Sequence, residues 1–138
     1  MPAFSDIVQV KKHDQDGYQV CVDSVESWIV AISNASPASD PDEVSFFGSH
    51  PNTDETFIPI KGNVCLAAAP RDAPEQFTVI AMERGACYNV KRNTWHTVLM
   101  SPGSKVAICE NRAPASERYQ LSPEGQRRLS SEAKALLT

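Results

Sequence analysis

A chain of 138 residues can bury one sizeable core, and 41% hydrophobic against 22% charged residues is the balance of a soluble globular protein. The formal charge of −4, with Arg127 and Arg128 adjacent but isolated, argues against nucleic-acid binding, while a local pocket can still take a small anion. The opening "MPAFSDIVQV" lacks the charged and apolar regions of a signal peptide, and no run of about 18 apolar residues offers a membrane span, so the expectation is a cytoplasmic protein.

In chain order, short apolar runs predict strands at 18–23, 27–33, 43–48, 56–60, 63–69, 76–82, 95–100 and 105–110. Asp16-Gly17, "NASPASDPDE", Lys61-Gly62, "APRDAPE", Arg84-Gly85 and "SPGS" separate them with turn chemistry. Pro59 inside a run points to a strand edge or a bulge. The runs 27–33 and 63–69 are apolar on both faces, as strands between layers are. Short strands without intervening helices predict an all-β sandwich or barrel. The end of the chain differs. Ser122 fits an N-cap, Pro123 the first helical position and Glu124 the first turn, and Leu129, Ala133 and Leu136 recur at helical spacing. One helix is expected over 123–136, packed outside the barrel. No linker or repeat divides the chain, so a single domain over 1–138 is expected, with its core at about 17–112. Cys21, Cys65, Cys87 and Cys109 form no CxxC pair, which suits free thiols better than a cysteine zinc site.

The chemistry-bearing residues centre on "HPNTDETFIPIKG" (50–62) and "GACYNVKRNTWH" (85–96). On strand geometry Glu55, Phe57 and Pro59 share a face, with Lys61 next in the row, and His96 shares a face with Val98 and Met100. A histidine or carboxylate pointing into an apolar interior needs hydrogen-bond partners or a cation. His50 and His96 are therefore either two separately satisfied core histidines or parts of one site, and their common spacing with Glu55 favours one site. His13, in "KKHDQDG", reads as a solvated loop residue.

That spacing resembles the cupin pattern. His50 stands for the second histidine of its first motif, Glu55 follows after four residues, Gly62 after six more, and His96 falls on the histidine of the second motif. Gly48 replaces the first histidine, and Lys91 and Asn93 replace the proline and glycine of the second motif. Within the cupins, His50, Pro51, Phe57, Ile58, Pro59, Lys61 and Gly62, with Arg92, Asn93, Trp95 and His96, resemble the ureidoglycolate lyase family over residues 45 to 110. The resemblance does not clearly cover the first 40 residues or the terminal helix. It implies a double-stranded β-helix, or jelly-roll barrel, with one C-terminal helix. It also implies an enzyme of allantoin catabolism that releases urea and glyoxylate from ureidoglycolate. The family often has glutamine where this chain has Glu55, and Glu55 restores the carboxylate ligand of the cupin pattern.

On this reading His50, Glu55 and His96 are the catalytic residues and also the ligands of one divalent transition metal of open identity, with no organic cofactor. Two histidines and a carboxylate leave open coordination positions, as a reactive centre requires. Lys61, Tyr88, Arg92, Asn93 and Trp95 are candidates for holding a small carboxylate-bearing substrate. Lys61 and Arg92 would act as the cations and Tyr88 and Trp95 as pocket walls. No nucleic acid or membrane is expected as a partner, and a homodimer is expected. Two other readings stand beside the lyase: a metal-dependent cupin acting on another small hydroxy- or keto-acid, and a non-catalytic cupin that binds a small ligand.

Overall fold

The computed structural model describes residues 1, 3–23, 25–112 and 114–138. After a single helical turn, α1 (Phe4–Ile7), the described residues form β1 (Gly17–Asp23), β2 (Trp28–Asn34), β3 (Phe46–Ser49), β4 (Glu55–Lys61) and β5 (Val64–Ala69). They continue with β6 (Thr78–Ala81), β7 (Tyr88–Val90), β8 (Trp95–Met100), β9 (Lys105–Asn111), β10 (Glu117–Gln120) and the closing helix α2 (Pro123–Leu137). The strands build two five-stranded antiparallel sheets, in the orders β1-β2-β9-β4-β7 and β10-β3-β8-β5-β6. This is the all-β sandwich that the strand rhythm predicts, with the helix at its end.

Two apolar layers hold it together. Between the sheets lie Ala31, Phe57, Val64, Leu66, Met82, Val90, Met100, Val106 and Ile108. Between the second sheet and α2 lie Phe47, Cys65, Ala67, Phe77, Trp95, Leu99, Leu121, Leu129 and Ala133. Strand β5 serves both, with Val64 and Leu66 facing one way and Cys65 and Ala67 the other. It is therefore the strand buried on both faces. Strand β2 is not, because only Ile29 and Ala31 are buried along it while Val30 and Ile32 are half-exposed. The run 27–33 is apolar on both faces without being covered on both.

Gly62 closes the β4–β5 turn at φ 72°, and a Cβ there would stand 2.7 Å from that of Ser104, so both the conformation and the space demand glycine. Pro59 sits beyond the reach of β7, which pairs only with Glu55–Phe57, and beside a register shift against β9 between Pro59 and Lys61. The predicted strand at 43–48 begins only at Phe46, because the Glu43 and Val44 amides turn back to the Asp40 carbonyl. No described helix is long and apolar enough to cross a membrane.

Candidate metal centre

The centre is built where the two sheets face each other. His50 follows β3, and His96 is the second residue of β8, where it pairs with Gly48. Glu55 opens β4 in the other sheet and pairs with Glu110 of β9. His96 and Glu55 are buried, and His50 is nearly so. Glu55 Oε1 lies 2.8 Å from His96 Nε2 and 3.2 Å from His50 Nε2. Donor atoms of His50, Glu55 and His96 all fall within 4.8 Å of one another. The spacing-based prediction of one common cluster holds in space.

Both imidazoles are held from behind. His50 Nδ1 lies 3.0 Å from the Ala115 carbonyl, with the Ser116 hydroxyl at 3.2 Å, and His96 Nδ1 lies 3.0 Å from the Thr94 carbonyl. A carbonyl oxygen only accepts, so each Nδ1 carries the hydrogen and each Nε2 points its remaining valence at the carboxylates. A neutral Nε2 lone pair facing a carboxylate oxygen is repulsive unless a proton or a cation lies between them. This backing of metal-binding imidazoles by carbonyls is the usual way their orientation is fixed. Ligands bound at about 2.0–2.2 Å stand roughly 3–3.5 Å apart, close to the separations seen here. The donor set therefore fits a divalent cation.

Glu110 is the residue that sequence reading missed. It lies directly across the ladder from Glu55, its side chain is 7% exposed, and its Oε2 stands 3.6 Å from His50 Nε2 with no hydrogen-bond partner. Burial, and then the Glu55 charge, push its carboxyl up to about 7. The Tyr18 hydroxyl donates to Glu110 Oε1 at 3.5 Å, and burial together with both carboxylates pushes that phenol up to about 12. His96 feels opposed influences. Burial lowers its pKa, but the Glu55 hydrogen bond and charge outweigh it and raise the pKa above the usual value.

The proposed substrate holders are not gathered here. The row Glu55-Phe57-Pro59 faces inward as predicted, but it ends at the register shift, and Lys61 emerges exposed six residues, or about 20 Å, along the strand from Glu55. Arg92 is also exposed and is tied to Asp54, whose Oδ1 accepts its backbone amide at 2.9 Å and lies 3.8 Å from its Nε. Trp95 faces away from His96, into the layer beneath α2, and its indole donates to the Arg71 carbonyl. Tyr88 packs against the layer between the sheets, with its hydroxyl accepting the Glu83 amide. Asn93 takes a left-handed turn conformation (φ 69°) and donates its amide to the His50 carbonyl, so it positions the site's backbone. His13, expected in solvent, is buried instead, with Nε2 bonded to the Gly17 carbonyl at 2.7 Å.

A cavity of about 180 Å³ lies near the cluster, although none of His50, Glu55, His96 and Glu110 lines it. Phe57, whose ring meets His96 edge-on, and Tyr18 line it, together with Val98, Val106, Ile108 and several serines. No lysine or arginine stands among the described residues of its wall. A larger cavity, about 660 Å³ between Pro37, Pro102 and Leu137, likewise contains no residue of the cluster.

The chain is similar in structure to a cupin-2 domain protein from Shewanella frigidimarina, at 21% identity and a TM-score of 0.50 over 72% of this chain and 85% of that one. It is also similar to Fe(II) HppE (18%, TM-score 0.52, 81% of this chain and 60% of that) and to oxalate decarboxylase (15%, TM-score 0.53, 81% and 30%). The chain thus spans less than two thirds of each of the latter two. The fold is that of the cupins. No curated protein matches it in sequence. The model of the ureidoglycolate lyase family matches residues 4–117, extending the likeness across the N-terminal strands, and the chain belongs to that family.

Proposed function

We propose that the protein is a metal-dependent lyase that cleaves the carbon–nitrogen bond of ureidoglycolate, releasing urea and glyoxylate. The observation that carries this reading is the convergence of two imidazole Nε2 atoms on the Glu55 carboxylate, each imidazole held from behind by a backbone carbonyl. His50, His96 and Glu55 would hold the ion, and Fe(II)-bound HppE is a precedent for iron on this fold. When bound, the metal supplies Lewis-acid polarisation of the substrate's oxygens.

The chain's own residues account for the rest. The reaction takes a proton from the hydroxyl of ureidoglycolate, breaks the carbon–nitrogen bond, and delivers a proton to the departing ureido nitrogen. Glu55 turns Oε1 toward the two imidazoles, where the ion would lie, and in our reading its second oxygen accepts the hydroxyl proton. The Tyr18 hydroxyl keeps its proton throughout the neutral range and is the donor to the leaving nitrogen. Phe57, Val98 and Ile108 keep bulk water from the reacting carbon. Lys61 and Arg92 lie apart from the cluster, and an ion held by His50, Glu55 and His96 would supply the positive charge that the substrate carboxylate needs.

Steady-state release of urea and glyoxylate from ureidoglycolate is the test, and a folded, metal-loaded protein that releases neither overturns the assignment. The largely apolar cavity wall favours a second substrate class, the alkyl 2-hydroxy- and 2-keto-acids. Turnover of these acids in place of ureidoglycolate would select that reading.

A further inference from the structure

We propose that Glu110 is a fourth protein ligand of this centre, so that the ion is held by two histidines and two carboxylates. The inference rests on reading the cluster as a metal site. Three observations carry it.

The first is the orphaned oxygen. Glu110 Oε2 is buried, has no hydrogen-bond partner, and is aimed at His50 Nε2 from 3.6 Å. A buried acceptor left unpaired costs free energy, and a shared cation removes that cost. The second is register. Glu55 and Glu110 are directly opposed across β4 and β9, and like charges so placed repel. A divalent ion between them turns that repulsion into attraction. The third is Gly48, which stands where the cupin pattern has its first histidine. Gly48 offers no donor atom, and a Cβ added there would meet nothing nearer than the Glu117 carbonyl at 3.9 Å. Gly48 and His96 lie on one sheet, Glu55 and Glu110 on the other. The missing ligand is thus compensated from the opposite sheet.

The exchange alters the chemistry. Two carboxylates balance the charge of a divalent ion, where three histidines and one carboxylate would leave one positive charge. The oxygen-richer donor set suits Mn(II) or Fe(II) better than an all-imidazole site would.

Mn(II) titrated calorimetrically into metal-stripped protein, with a crystal structure of the Mn(II)-loaded wild type, tests the proposal. We expect one Mn(II) per wild-type chain, a dissociation constant raised at least about tenfold by Glu110→Gln, and a Glu110 oxygen about 2.0–2.4 Å from the ion. Wild-type affinity in Glu110→Gln, or a Glu110 carboxylate more than about 3 Å from the bound ion, overturns Glu110 as a ligand and leaves the three-residue centre standing. No Mn(II) binding by the wild type removes both the proposal and the metal reading beneath it. Should Glu110→Gln fail to fold, the wild-type structure decides alone.

Discussion

Glu55 receives both imidazoles on one oxygen, so the variant that removes only its charge is the most informative at the residue scale. Glu55→Gln keeps the shape but offers a weak ligand. It is expected to lower kcat/KM by at least about a hundredfold and to lose the metal, as read by elemental analysis of the dialysed protein. Lys61→Ala and Arg92→Ala, by contrast, are expected to change kcat/KM by less than about threefold, because both side chains are solvated and surface ion pairs contribute little. A large rise in KM for either would return it to the substrate site.

The triad His50, Glu55 and His96 was legible in sequence because spacing along strands transmits directly into space. Trp95 was misread although the signal was present, since strand alternation turns it away from the neighbouring His96. Lys61 lies outside the inward row because a bulge ends that row after Pro59, the irregularity that the proline itself signals. Glu110, at the polar end of "KVAICEN", looked like a strand terminus, and only the β4–β9 register reveals that it faces Glu55.

Among elements, eight of the strands and α2 follow from periodicity and turn residues. Strands β7 and β10, three and four residues long and largely polar, carry too little pattern to be seen and exist through pairing with β4 and β3. The start of α2 shows how a loop residue can fix a helix. Ser122 accepts the Gly125 amide, as its capping role predicts, but Glu75 also accepts the Ser122 amide and hydroxyl and the Tyr119 hydroxyl. A Cβ at Gly125 would come within 2.3 Å of Glu75 Oε1, so a larger residue there would displace the carboxylate from this network. Burial acts to raise the Glu75 pKa, but these hydrogen bonds outweigh it and hold the carboxyl below its usual range. A depressed folded-state pKa contributes stability above the unfolded value and loses it as pH falls through the folded one. Glu75→Ala should therefore cost about 1–2 kcal/mol at pH 7, and the difference from wild type should shrink as pH falls below 4.5, the ordinary carboxyl value. Urea denaturation at pH 7 and pH 3.5 measures it, and an equal loss at both would exclude the charge-dependent account.

For the whole molecule, the centre ties the two sheets together. His96 belongs to one sheet, Glu55 and Glu110 to the other, and the apolar layer between them continues beyond the cluster. A bound ion is therefore a cross-link between layers. At a hundredfold excess over its dissociation constant it adds about 2.7 kcal/mol, a rise in Tm of roughly 10 °C for a domain of this size. Scanning calorimetry with and without Mn(II) should show that rise, and chelation should reverse it. The same centre carries the catalytic claim, and the direct test is turnover of ureidoglycolate by protein stripped of metal and then titrated with it. The account predicts that urea release falls to background on stripping and returns in proportion to metal, saturating at one equivalent per chain. Full activity in the stripped protein would contradict it.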